Sequence, residues 1–325
     1  MRLLAITPNW LGDMVMSAAL FQSIKAQAPA VEITALGPAF ARPLLERLDA
    51  VDRVIDSPFG HGGLNYLKRR QFGRTLPAFD AAVVLPNSFK SALIPWMAGI
   101  PTRVGWLGEQ RYGVLTARPK LNKAEFPRMV DRYLELARPL GFQPTFAEPR
   151  MTAGTVHLSI AGDYVVLAPG AAFGSAKRWP ADRYAQVALN LLAQGNRVLL
   201  IGGPGEVDDC AQIANAQPPA YRDRITNLAG QASLGESLDL IGAAGAVVAN
   251  DSGLMHVAAA MGVPLVGIFG PTSPDHTPPL SAKAQVVWSK PACAPCFKRV
   301  CPLKHHQCMN ELAPGLVVDA LAKYV

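Results

Sequence analysis

Short unbroken apolar runs alternate along the chain with stretches whose apolar residues recur every three or four positions. In the first half, residues 3–7, 31–36, 51–55 and 81–85 read as strands. Residues 17–27, 41–48, 88–97 and 127–140 read as helices, the last closed by Gly141. Residues 142–163 carry Pro144 and Pro149 and keep no period, so they read as a linker. The pattern then restarts. Strands are expected at 164–168, 197–201, 246–249 and 264–269, and helices at 181–193, 237–244, 253–261 and 316–324. The last of these helices has a spacing that suits packing on either half.

Strand and helix in alternation imply an α/β chain with parallel sheets covered on both faces. The restart after residue 150 implies two Rossmann-like domains, 1–150 and 151–325. The length of 325 residues suits two cores better than one. Facing domains of this kind would bind ligands in a cleft at the carboxyl ends of their strands.

No apolar run approaches the roughly 20 residues that span a bilayer. The apolar start is broken by Pro8, Asn9, Gly12 and Asp13 before a signal-peptide core forms, so the expected location is the cytoplasm. Charge adds an asymmetry. The first 150 residues hold 19 Lys and Arg against 12 Asp and Glu, and the remainder holds 12 of each, so the whole net charge of +7 lies in the first half. An anionic partner for that half fits, as does simple solubility. Basic stretches with interleaved aromatics are missing, which argues against nucleic acid.

Four sites carry candidate chemistry. Asn250 to His256 follows a buried strand and opens a helix, with Asp251 or Ser252 placed to cap it and Gly253 small enough for a ligand to approach the backbone. That is an anion site suited to a diphosphate, with His256 one turn in, facing either the ligand or the core. The glycine-rich turn from Pro169 to Pro180 carries Lys177 and Arg178. A fixed Lys177 would stabilise a departing nucleotide diphosphate, although a solvated Lys-Arg pair gives the same pattern. Glu206, after the strand at 197–201, is placed to accept from a ribose or to sit at the surface. Asp13, between the first strand and the first helix, fits a general base or a helix N-cap equally.

Lys68, Arg69 and Arg70, with Arg74, Lys90, Arg103 and Arg111, supply much of the first half's positive charge and would suit an anionic acceptor. Cys293, Cys296, Cys301 and Cys308, with His305 and His306 among them, have metal-ligand composition without the spacing of a common zinc ribbon; Cys210 stands apart. A structural metal, disulfides or reduced packing thiols all fit. Because this loop lies beyond the other motifs in sequence, it is not expected to be catalytic.

Together the segments NWLGDMVMS (9–17), LPNSFKSAL (85–93), GEQRYGVL (108–115), PGAAFGSAKRWP (169–180), NDSGLMHVAAA (250–260) and FGPTSPDHTPPLS (269–281) resemble the ADP-heptose:lipopolysaccharide heptosyltransferases of glycosyltransferase family nine, over nearly the whole chain. The resemblance implies a GT-B fold and inverting transfer of L-glycero-D-manno-heptose from ADP-heptose. The implied acceptor is a phosphorylated heptosyl-Kdo-lipid A at the anionic cytoplasmic face of the inner membrane, which the enzyme would meet as a peripheral protein. It implies Asp13 as base, Lys177 on the phosphates, Glu206 near the ribose, Asp251, Ser252, Gly253 and His256 at the donor, and no cofactor for catalysis. Ser252 stands where enzymes adding the first core heptose usually carry threonine, which favours the type adding the second. The cysteine-rich loop departs from some family members. The rival readings are transfer of the first heptose, another nucleotide-sugar transferase, a nucleotide-sugar epimerase, and a two-domain binding protein without chemistry.

Overall fold

The computed structural model describes residues 1–60, 62–155 and 163–325 and divides into two compact units, Met1–Met151 and Thr152–Val325. The later part of the expected linker, 156–162, lies outside the described residues. Its earlier part is docked. Ser23 and Gln27 donate to the Gln143 carbonyl at 3.0 and 2.7 Å, and the Thr145 N–H donates to Ser23 Oγ.

In the first unit the elements are β1 (Arg2–Ile6), α1 (Leu11–Gln27), β2 (Glu32–Pro38), α2 (Arg42–Leu45), β3 (Arg53–Ser57), α3 (Tyr66–Thr75), β4 (Ala81–Val84), α4 (Phe89–Met97), β5 (Thr102–Val104) and α5 (Met129–Leu134). The sheet is wholly parallel in the order β3-β2-β1-β4-β5. Its central strands are continuous apolar runs because helices cover both faces, so no alternation is required of them.

Two predicted helices change form. The expected helix at 127–140 is α only to Leu134 and then tightens to a 3₁₀ helix, Glu135–Leu140, with Pro139 inside and Gly141 closing it at φ +90°. The helix expected from residue 17 starts at Leu11. Trp10 occupies the N-cap with no side-chain bond, which puts Gly12 and Asp13 in the first turn, where a carboxylate complements the helix dipole. Asp13 is therefore not the N-cap.

The second unit contains β6 (Tyr164–Ala168), α6 (Ala181–Ala193), β7 (Arg197–Leu200), α7 (Val207–Asn215), β8 (Ile225–Asn227), α8 (Leu234–Gly242), β9 (Ala246–Asn250), α9 (Gly253–Ala260), β10 (Leu265–Phe269), β11 (Ala284–Trp288), α10 (Gln307–Asn310) and α11 (Pro314–Leu321). Its parallel sheet runs β11-β10-β9-β6-β7-β8, the doubly wound order with its switch point between β6 and β9. Helix α6 buries Tyr184, Val187, Ala188, Leu191 and Leu192 along one stripe and ends at Gly195. Helix α8 starts earlier than expected because Ser233 and Glu236 form a capping box, with N–H to side-chain distances of 3.2 and 2.7 Å. The terminal helix α11 packs on α6, β10 and β11, within the second core. Among the described residues no helix is long and apolar enough to cross a membrane.

Candidate functional site

The switch point of the second sheet gathers the loops after β6 and β9. Asn250, at the end of β9 and fully buried, donates to the Pro169 carbonyl at 2.6 Å and accepts from the Tyr184 hydroxyl at 3.1 Å, which locks the two strand ends together. The turn after β6 ends on Trp179, whose ring packs edge-on to Tyr184 at 5.0 Å and whose indole N–H donates to the Leu312 carbonyl. Lys177, in the 3₁₀ turn Ser175–Lys177, is thus held two residues from a buried anchor.

Lys177 Nζ lies 2.6 Å from Asp251 Oδ2 and 3.2 Å from the Asp251 carbonyl, and Thr272 Oγ1 donates to the same Oδ2 at 2.6 Å. Asp251 is 4% exposed, so its charge is compensated by the lysine rather than by water. An ammonium has three protons, and Asp251 takes two of them, which leaves one for a ligand. Asp251 therefore aims Lys177; its carboxylate caps no helix. Ser252 holds the N-cap position of α9 but makes no side-chain cap bond, leaving the first-turn N–H groups uncapped by it. His256 is buried with Nε2 4.0 Å from Asp251 Oδ1. Burial pushes its pKa down to about 4, against the pull of Asp251 and with help from Lys177, so the ring is neutral at pH 7.

Glu206 sits where β6 and β7 end. It accepts from Arg178 Nη2 at 3.2 Å and from the Gly203 N–H at 2.9 Å. A Cβ at Gly170 or Gly202 would come within 2.9 or 2.6 Å of its side chain, so both glycines are there to admit it. Arg178, Thr272, Asn250 and Tyr184 were not singled out as partners by sequence. Their roles come from contacts across 16 to 81 residues, which no local motif reveals.

The cysteine-rich loop belongs beside this edge, contrary to its distance in sequence. The Ala176 N–H donates to the Arg299 carbonyl at 3.0 Å, and the Cys296 and Phe297 N–H groups donate to the Pro271 carbonyl. Arg299 and Lys177 both approach the Phe173 ring, at 5.4 and 4.8 Å. Cys293, Cys296, Cys301 and Cys308 line one small apolar cavity as free thiols. Among the described residues no group of three His, Cys, Asp or Glu side chains is arranged to hold a metal ion, and the five cysteines are free thiols. Burial, reinforced by the neighbouring cysteines, pushes the Cys308 thiol up to about 11.

The first unit has its own concave site at the carboxyl ends of β1 to β4. Thr7, Asn9, Ser57, Arg69, Ser88, Lys90 and Ser91 line it, and among the described lining residues there is no carboxylate. Arg69 is 4% exposed; its Nε donates to the Leu64 carbonyl and its guanidinium lies 4.2 Å from the Phe59 ring centre. Lys90 Nζ donates to the Gly62 carbonyl at 2.7 Å. Lys68 and Arg70 are exposed outside this pocket. Arg111 must be withdrawn as a ligand contact. It is fully buried, bonded to the carbonyls of Pro86 and Trp106 and to Asn87, and burial lowers its pKa to about 10. Arg103 is likewise spent on the Ile100 and Val114 carbonyls. Asp13, in the first turn of α1, is bonded to the hydroxyl of Tyr133 from α5, a buried phenol whose pKa rises through burial first and Asp13 second.

Comparison with known proteins fits these two edges into a single family. The family model described as glycosyltransferase family 9 (heptosyltransferase) matches residues 69–307. Lipopolysaccharide heptosyltransferase 2 of Escherichia coli K12 is 40% identical, over 99% of this chain and 97% of its own length. The solved E. coli ADP-heptose LPS heptosyltransferase II superposes with a TM-score of 0.87 at 37% identity, covering 100% of this chain and 98% of that one. E. coli heptosyltransferase WaaC, solved with ADP, shares the fold at a TM-score of 0.76 and 20% identity over 100% of both chains. Two parallel Rossmann-like sheets on a GT-B pattern, matched along their full length at this identity, make the chain a glycosyltransferase, and it belongs to glycosyltransferase family 9, the heptosyltransferases.

Proposed function

We propose that this enzyme transfers L-glycero-D-manno-heptose from ADP-heptose to a lipopolysaccharide inner core that already carries one heptose, with inversion at the anomeric carbon. The observation that carries the reading is the end-to-end similarity to E. coli lipopolysaccharide heptosyltransferase 2. The second unit's edge supports it chemically. ADP leaves as a dianion or more, and the Lys177 ammonium with the uncapped N–H groups of Gly253 and Leu254 meets that growing charge. Because these groups are already fixed by Asp251, Thr272 and Trp179, little reorganisation is needed at the moment of bond breaking. Glu206 is assigned to the ribose hydroxyls, and neutral His256 to the packing beneath Asp251 and the turn that faces the donor.

On the acceptor side, the proposed general base is Asp13. Its carboxylate takes the proton of the attacking heptose hydroxyl while that oxygen bonds to the anomeric carbon on the face opposite ADP. Tyr133 positions the carboxylate, which restricts its rotation in the ground state. Arg69 and Lys90, in a pocket lined by hydroxyls, are assigned to the anionic sugar part of the acceptor; polyol hydroxyls and a carboxylate or phosphate match that lining. Lys68 and Arg70 remain candidates for more distal acceptor charge.

The test is ADP release from ADP-heptose with acceptor bearing one core heptose against acceptor bearing none. Turnover confined to the heptosylated acceptor is expected. Turnover confined to the other would reassign the enzyme to the first heptose, and isomerisation of the donor without acceptor would replace transfer by epimerisation.

A further inference from the structure

The cysteine-rich loop, 293–308, is tied to the switch-point edge of the second unit at two places, each one residue from a member of the Lys177, Asp251 and Thr272 set. The Ala176 N–H, next to Lys177, donates to the Arg299 carbonyl at 3.0 Å. The Pro271 carbonyl, next to Thr272, accepts from the N–H groups of Cys296 and Phe297 at 3.0 and 2.8 Å. Gly174 makes the first tie possible, since a Cβ there would come within 2.9 Å of the Arg299 carbonyl carbon. Phe297, held by the second tie, packs edge-on to His276 with the ring centres 5.7 Å apart. The loop backbone is thereby fixed against the turn that carries Lys177, and the residue it delivers there is an arginine.

Arg299 is exposed, and its guanidinium lies 5.4 Å from the centre of the Phe173 ring, the same ring that Lys177 Nζ approaches at 4.8 Å. One ring thus gathers two cations from segments far apart in sequence, and their charges are balanced differently. Lys177 is paired with Asp251 at 2.6 Å, and Arg178 with Glu206 at 3.2 Å and Asp209 at 3.4 Å. Among the described residues no carboxylate pairs with the Arg299 guanidinium. We propose that Arg299 is a second cation for the donor's diphosphate. The inference rests on the proposed placing of ADP at this edge and deepens it. The Lys177 and Asp251 pair adds little net charge, so a diphosphate bound there still lacks a counter-charge. Arg299 supplies it, through a planar fork of N–H donors matched to phosphate oxygens. The diphosphate is anionic before the bond breaks as well as after, so the arginine acts on ground-state affinity, whereas Lys177 meets the charge that grows on departure.

Calorimetry of the full-length protein with ADP and with adenosine tests it. Arg299→Gln should weaken ADP binding about tenfold and adenosine binding by less than about twofold, because a ligand without phosphate gains nothing from the charge. Arg299→Lys should stay nearer the parent than Arg299→Gln, since it keeps the charge and loses only the fork. Lys298→Gln, at the exposed neighbouring residue, should stay within about twofold of the parent. The ties to Ala176 and Pro271 are made by backbone, so all three variants should keep the parent circular dichroism and melting temperature. Lys177→Ala, measured beside them, separates the two readings: weaker ADP binding there with none in Arg299→Gln overturns the second cation alone, and no weakening in either overturns the placing of ADP as well. Equal loss of ADP and adenosine in Arg299→Gln, a loss as large in Lys298→Gln, or a raised KM for acceptor at unchanged ADP affinity would also overturn the proposal.

Discussion

The two switch-point edges solve different recognition problems with similar backbones. At the second unit's edge nearly every polar side chain is bonded to another: Lys177 to Asp251, Thr272 to Asp251, Arg178 to Glu206, Asn250 to Tyr184. At the first unit's edge the pocket residues Arg69 and Lys90 are held through backbone carbonyls, and none of the described lining residues is a carboxylate. A cation paired with a buried carboxylate is fixed in place and adds little net charge, which suits a leaving group whose negative charge grows during reaction. A cation without such a pair adds net positive charge, which suits capture of a substrate that is anionic from the start.

Breaking the comparison at its catalytic ends should give the largest effects. Asp13→Asn should lower kcat about a thousandfold with the fold intact, as loss of a general base does; steady-state turnover with circular dichroism checks it. Lys177→Ala should lower kcat a few hundredfold. That variant also strands the buried Asp251 carboxylate and should destabilise the chain. Adding Asp251→Asn should then recover the melting temperature without recovering the rate, which separates the lysine's action on the leaving group from its part in the fold.

His256 sharpens the contrast through pH. The unfolded chain takes up its proton near pH 6.5, whereas the folded chain, with a pKa of about 4, refuses it until pH is lower. Its contribution to stability is thus complete above 6.5 and is lost as pH falls toward 4, a change on the order of 3 kcal/mol. Urea unfolding across that window should show a shallower pH slope for His256→Gln than for the parent. The smallest effect belongs to the first unit. Lys90→Gln should raise KM for acceptor about tenfold and leave KM for ADP-heptose near its parent value.

Much of this arrangement was legible in the chain, because buried parallel strands appear as apolar runs and the loops after them carry their chemistry in contiguous letters, as in NDSGLMH and GSAKRWP. The failures have physical causes. Helix α1 begins at Leu11 because Gly12 is tolerated in a first turn and Asp13 is favoured there by the dipole, although both look like breakers in sequence. Helix α3 leaves little apolar period to read, because its two fully buried positions are an arginine and a glycine and Phe72 alone within it adds an apolar side chain packed on the core. Arg111 looked like a surface cation, yet it closes the 86–111 loop from inside by serving backbone carbonyls. The cysteine loop looked remote, and only the sheet's order brings its backbone to Ala176 and Pro271. Such roles depend on which loops a fold makes neighbours.

The most direct test of the two-edge account is a cross-measurement of ADP affinity by calorimetry in Lys177→Ala and in the Arg69→Gln, Lys90→Gln pair. The account predicts that ADP binding weakens at least tenfold in Lys177→Ala and stays within about twofold of the parent in the first-unit pair. Equal weakening in both, or weakening only in the first-unit pair, would contradict the assignment of the nucleotide to the second unit's edge.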